Sequence, residues 1–128
     1  MSYKVLVVDD EAPVRGLFDE LLKKENCPVS CVASAEEALD LINKEDLDVV
    51  LLDIKLAGMN GLDALKEIKK IKPGLIVIML TGFGYVEELI DLSMEYGAAG
   101  YIGKNLPVSE IMKNLRLFAQ AAREKNEQ

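Results

Sequence analysis

Three aspartates, a threonine and a lysine in this chain each stand at the end of a short apolar run. Val5-Leu6-Val7-Val8 leads into Asp9-Asp10-Glu11, and Val49-Val50-Leu51-Leu52 leads into Asp53. The run 75–80 leads into Thr81-Gly82, and the run that starts at Ala99 ends in Gly103-Lys104. If these runs are neighbouring strands that point the same way, their polar ends meet along one edge. Two unit charges ~4 Å apart repel by about 1 kcal/mol in water and about 4 kcal/mol at an effective dielectric of 20. Asp9, Asp10 and Asp53 would therefore cost stability unless cations compensate them. Lys104 brings one positive charge, and a hard divalent ion such as Mg²⁺ brings the rest through oxygen ligands. Thr81 adds a hydroxyl donor. A carboxylate nucleophile, a metal, a lysine and a hydroxyl together describe a phosphoryl-transfer site. Singly, each has a plainer reading: a solvated loop acid, a helix cap at Asp10, a β-former at Thr81, a surface charge at Lys104. The coincidence at four strand ends is what points to chemistry.

The elements that must position these groups follow from periodicity. Continuous apolar runs predict strands buried on both faces, as in a parallel sheet, over 3–9, 29–33, 48–53, 75–81 and 99–103. Helical spacing fills every gap: Val14, Leu17, Phe18, Leu21 and Leu22; Ala35, Ala38, Leu39 and Ile42; Ala64, Leu65, Ile68 and Ile71; Val86, Leu89, Ile90 and Met94; Val108, Ile111, Met112, Leu115 and Ala119. Ser34 with Glu37 carries a capping-box signature, Pro73-Gly74 and Gly97 close helices, and Pro107 sits near a first turn. The stretch Gly58-Met59-Asn60-Gly61 reads as a turn and helix entry. The resulting (βα)₅ order predicts a single-domain α/β fold, an open, doubly wound parallel sheet with right-handed crossovers and helices on both faces. In such sheets ligands bind beyond the carboxyl ends of the strands, where the strand order reverses. The polar residues 123–128 are expected to form a fraying tail.

Composition narrows the function. The chain has 128 residues, half of them apolar, enough for one domain that buries roughly 65–70% of its unfolded surface. A net charge of −7 with no basic tract argues against direct binding to nucleic acid or an anionic membrane. The chain contains no histidine, so a Ser-His or Cys-His pair or a His-ligated metal cannot be built. The apolar run 75–80 is too short to span a membrane, and Asp9 and Asp10 cut the first apolar stretch too short for a signal peptide. The expected location is cytoplasmic. Cys27 and Cys31, about 13 Å apart along a strand, are too distant for a mutual disulfide and are expected to be reduced. Neither G-x-x-x-x-G-K-[ST] nor G-x-G-x-x-G follows the first strand, which removes nucleotide and dinucleotide binding as leading readings.

The set Val7-Val8-Asp9-Asp10-Glu11, Leu51-Leu52-Asp53 with Gly58-Met59-Asn60-Gly61, Thr81-Gly82, and the run from Gly97 through Lys104 resembles the response-regulator receiver domains of two-component signalling, the CheY-like superfamily. The resemblance covers about residues 3–120. It implies a flavodoxin-like strand order 2-1-3-4-5, a receiver over residues 1–122, and a phosphoacceptor that catalyses only its own phosphorylation and dephosphorylation. Asp53 would take a phosphoryl group from a sensor histidine kinase or phosphotransfer protein. Asp10 would bind Mg²⁺ directly, Asp9 would assist, and Asp53 and the Lys55 carbonyl would complete the protein ligands. Lys104 would pair with phosphoryl oxygens, Thr81 would donate to one of them, and Tyr101 would be the aromatic switch. The output face would be helix four, strand five and helix five, read by an effector domain or protein.

Two departures stand out. Leu56-Ala57-Gly58 lacks the family's proline before the glycine, and Asn105 replaces the proline that follows the family's lysine in a cis peptide. A cis bond before Asn105 would cost about 2.5–4 kcal/mol, so either that cost is met or the loop differs. Lys55 and Phe83 flank the acceptor without an acid or amide to orient water, which predicts slow self-dephosphorylation. Helical wheels place Tyr85, Leu92, Tyr96 and Leu117 on a surface beside Tyr101, open to a partner or to a homodimer formed on phosphorylation. Two other readings compete. One is a pseudo-receiver, a phosphorylation-independent protein-binding module, against which the intact set of five polar residues argues. The other is an aspartate-nucleophile phosphatase, which lacks its D-x-D-x-[TV] motif here.

Overall fold

Continuous apolar runs need cover on both faces, and the five-stranded sheet receives it. The structure is a computed structural model and describes residues 3–82 and 87–126. Phe83, Tyr85 and Val86 lie outside the described residues. The elements alternate as β1 (Val5–Val8), α1 (Ala12–Lys24), β2 (Val29–Val32), α2 (Ala35–Lys44), β3 (Val49–Asp53), α3 (Gly61–Ile71), β4 (Ile76–Thr81), α4 (Glu87–Glu95), β5 (Gly100–Gly103) and α5 (Val108–Asn126). All strand pairs are parallel, and the order is β2-β1-β3-β4-β5. Among the described residues no helix is long and apolar enough to cross a membrane.

The two-residue period of a strand divides the core. Leu6, Val8, Val50, Leu52, Val77 and Met79 face α2 and α3, with Ile90 of α4 on the same side. Val5, Val7, Val49, Leu51, Ile78, Leu80 and Ile102 face Phe18, Leu21 and Leu22 of α1 and Ile111, Met112, Leu115 and Ala119 of α5. A continuous apolar run is thus two alternating sets, one per face.

Local signals set the helix ends. Ser34 accepts from the Glu37 N–H at 3.2 Å and its hydroxyl faces the Glu37 carboxylate. Asn60 caps α3 by accepting from the Asp63 N–H at 2.9 Å. α5 stays helical through Arg123 to Asn126, where polarity predicts fraying. Arg123 lies over the Tyr3 ring and pairs with Asp48, so tertiary contacts hold that turn. On α4 the inward positions are Ile90 and Ser93, and Met94 is exposed rather than in the core. Ser93 can point inward because its hydroxyl donates to the Ile90 carbonyl at 2.7 Å. Val108, at the first turn of α5, is likewise exposed. Cys27 is buried and Cys31 half-buried, both free of disulfide bonds, and burial raises the Cys31 thiol pKa.

One glycine fixes the chain just beyond Asp53. A Cβ at Gly61 would lie 2.1 Å from the Asp53 carbonyl oxygen and 2.7 Å from the Ile54 Cα, both backbone atoms with no room to retreat. Gly16, inside α1, has nothing within 4 Å of the same position. Gly61→Ala should therefore lower unfolding free energy by about 2–3 kcal/mol, as overpacking does. Gly16→Ala should raise it by about 0.5–1 kcal/mol through helix propensity. Urea denaturation of both variants against the parent checks the opposite signs.

Candidate functional site

The strand order reverses between β1 and β3, and their register, Val8 opposite Leu52, brings Asp9 and Asp53 side by side just beyond the sheet. The third member of the edge arrives from β5. Thr81 is in register with Gly103, and the Lys104 N–H donates to the Thr81 carbonyl at 2.7 Å, which aims the lysine back across β4. Its Nζ lies 2.7 Å from Asp9 Oδ2, 2.9 Å from Asp53 Oδ2 and 3.2 Å from Glu11 Oε1. Asn105 occupies a turn in which Leu106 N–H bonds to the Gly103 carbonyl, and no peptide among the described residues is cis. The loop thus differs from the expected cis-proline form, yet Lys104 reaches both carboxylates.

Backbone donors hold the acids in place. Asp9 is fully buried, and its Oδ1 accepts from the Glu11 N–H at 2.9 Å. Asp53 Oδ1 accepts from the Lys55 N–H at 3.1 Å. Exposed Asp10 does not cap α1; its Oδ2 accepts from the Ala57 N–H at 3.2 Å and ties the loop after β3 to the end of β1. Thr81 is buried and its hydroxyl donates to the Ile102 carbonyl at 3.4 Å.

Two participants escaped the sequence reading. Glu11 occupies the N-cap of α1 without making a capping bond, and its carboxylate turns to Lys104. Arg15, in the first turn of α1, donates from Nη1 to the Asp9 carbonyl at 2.7 Å. Each carries a weak signal in hindsight. Glutamate is not among the preferred N-caps, and the positive end of a helix dipole disfavours a cation there.

One carboxylate oxygen from each of Asp9, Asp10, Glu11 and Asp53 lies within 4.8 Å of the others. Asp9 Oδ2 is buried, and its contact to Lys104 is short without hydrogen-bond alignment. An all-oxygen, four-carboxylate donor set with a buried lone pair to fill fits a hard divalent cation such as Mg²⁺. Burial raises the Asp53 pKa above the ordinary carboxylate value against the hydrogen bond from Lys104, and the Asp9 charge raises it further. Burial works against the Lys104 ammonium, but its close pairing with the Asp9 and Asp53 carboxylates outweighs it and holds its pKa above the usual lysine value.

The expected output residues are arranged less uniformly. Leu117 is 55% exposed and Tyr101 44% exposed. Leu92 is half-buried, and Tyr96 packs against the α2–α3 side of the core with the Lys66 ammonium 4.3 Å above its ring. The opposite end of the sheet holds a cavity of about 410 Å³ lined by Asp46, Asp48, Lys72 and Arg123, whose charges pair with one another.

A doubly wound parallel sheet with carboxylates and a lysine gathered at its reversal point belongs to the α/β class that binds ligands at that edge. The response regulator receiver domain family matches residues 5–116, and the chain belongs to that family, the receiver modules of two-component systems. It is 38% identical over 118 residues to sporulation initiation phosphotransferase F of Bacillus subtilis (strain 168), covering 92% of this chain and 94% of that protein. Among solved structures it is similar to NtrX from Brucella abortus (32% identity, TM-score 0.92), covering 99% of this chain but only 29% of that one. It is also similar to a CheY-like receiver domain protein from Methanospirillum hungatei JF-1 (28% identity, TM-score 0.88), covering 98% and 99% of the two chains.

The direction of the Asp53 shift fixes a pH dependence. A carboxyl whose folded pKa is raised is penalised when ionised, so folding is weakened above that pKa and unpenalised below the unfolded value near 3.9. A side-chain amide at this position cannot ionise. Asp53→Asn should therefore be more stable than the parent at pH 7, and the gain should disappear as pH falls to about 4. Urea midpoints between pH 4 and 8, without divalent cations, check this.

Proposed function

We propose that Asp53 accepts a phosphoryl group from a phosphohistidine of a sensor histidine kinase or phosphotransfer protein, in a Mg²⁺-dependent reaction. The observation that carries this reading is Lys104 Nζ placed 2.9 Å from Asp53 and 2.7 Å from Asp9 at the point of strand reversal. In the transfer, the phosphorus–nitrogen bond breaks, its electron pair stays with the imidazole, and an Asp53 carboxylate oxygen forms the new phosphorus–oxygen bond. Asp10, Asp9, Asp53 and the Lys55 carbonyl would hold Mg²⁺, which supplies positive charge to the transferring phosphoryl oxygens. Lys104 neutralises charge on the same oxygens. Thr81 turns its hydroxyl from Ile102 toward the new phosphoryl group, and Tyr101, which stands outward beside it on β5, follows inward. The altered surface is α4, β5 and α5, read by an effector domain or protein, and Leu117 and Tyr101 supply its apolar contacts. We take residues 1–122 as the receiver unit. The chain acts on itself and turns over no external substrate. The match of nearly the whole chain to a phosphotransferase of sporulation supports the phosphorelay part of this reading.

Incubation with Mg²⁺ and acetyl phosphate should add one acid-stable, hydroxylamine-labile phosphate, and Asp53→Asn should abolish it. No label on the parent would favour the pseudo-receiver reading, and continuous phosphate release would favour a phosphatase. Mg²⁺ at a hundredfold excess over its Kd should stabilise the parent by about 2.7 kcal/mol. Thermal melts with and without Mg²⁺ should show that increment, and Asp10→Ala should lose it.

A further inference from the structure

We propose that Glu11 sets the preference of the site among phosphodonors by competing with the incoming phosphoryl group for the Lys104 ammonium. The inference rests on the phosphoacceptor reading and adds to it a residue that governs donor specificity. An ammonium has three protons, and Lys104 faces three carboxylates: Asp9 at 2.7 Å, Asp53 at 2.9 Å and Glu11 at 3.2 Å. Its hydrogen bonds go to Asp53 and Glu11, so a phosphoryl oxygen that approaches the lysine competes with these carboxylates for its charge.

The three are unequal. The Asp9 side chain is fully buried and that of Asp53 is 5% exposed. Each is also anchored through Oδ1 by a backbone N–H. The Glu11 side chain is 62% exposed, makes no capping bond to α1 and can swing into water on its own rotamers. Releasing it leaves no buried charge without a partner, whereas releasing either aspartate would. Glu11 is therefore the arm that yields.

Its charge acts in opposite directions on the two species the site must gather. Four carboxylates gathered at one edge with a single ammonium on three of them leave the edge strongly negative. Glu11 draws a divalent cation toward that edge and repels a dianionic donor from it. Removing its charge should weaken Mg²⁺ binding and strengthen donor binding together. A distorted or partly unfolded site would weaken both.

The test compares the parent, Glu11→Gln and Asp53→Asn. Initial rates of phosphate incorporation are measured against acetyl phosphate, a dianion, and phosphoramidate, which carries less net charge at neutral pH. Mg²⁺ affinity is measured separately by calorimetry without donor. Glu11→Gln should lower KM for acetyl phosphate about two- to fivefold, the scale of one exposed ion pair, and lower it less for phosphoramidate. It should raise the Mg²⁺ Kd, and all three differences should shrink as salt rises from roughly 0.05 to 0.5 M. An unchanged or raised KM for acetyl phosphate, with the parent labelled and Asp53→Asn unlabelled, would overturn the role of Glu11 alone. A parent that takes no label would overturn the phosphoacceptor reading and this inference with it.

Discussion

The rest of the molecule is arranged around one ammonium among carboxylates. Asp9 and Asp53 sit side by side because β1 and β3 are neighbours in register, and side-by-side buried acids repel. Lys104 relieves that repulsion from a different strand, and it can do so only because β4 lies between, with Thr81 accepting its N–H. Four adjacent strands, the helical crossovers that join them and the reversal of strand order are needed to bring these charges into contact. The sheet therefore positions a charge cluster that no local segment could hold.

The cluster is balanced incompletely, and that is what makes it useful. Asp53 keeps a raised pKa even with Lys104 at 2.9 Å, because burial strips water from its carboxylate and Asp9 adds repulsion, so its ionised form is short of stabilisation. A divalent cation or a second cationic partner is accepted readily at such an edge. The same shortage puts strain on stability at neutral pH, in keeping with the way functional sites trade stability for chemistry. The parts that would transmit a change at this edge lie along β4 and β5: the Thr81 hydroxyl is bonded across to Ile102, one residue from exposed Tyr101.

Much of the fold was legible because continuous apolar runs and helical spacing are local signals. Every strand lies within the run that announced it, trimmed by a residue or two where the chain leaves the ladder. The placement of Asp9, Asp10, Asp53 and Lys104 along one edge also follows from strand ends alone, once the strands are parallel. What the sequence hid depends on neighbours far along the chain. The pairing of exposed Glu11 is with a lysine 93 residues away. A helical wheel puts Tyr96 on a free surface, but Lys66 of α3 covers its ring. Ser93 faces inward with its hydroxyl bonded back to Ile90, and Met94, the next position on the helix, is exposed. Polarity suggested a loose end after Ala122, and contacts from Arg123 to Tyr3 and Asp48 keep it helical.

The central claim is that Lys104 is the internal counter-ion of the acidic edge. Carbon-13 NMR titration of the Asp53 carboxyl in the parent and in Lys104→Met, without divalent cations, tests it most directly. The account predicts a parent pKa above the ordinary carboxylate value and a still higher one in the variant. An equal or lower Asp53 pKa in folded Lys104→Met would contradict it.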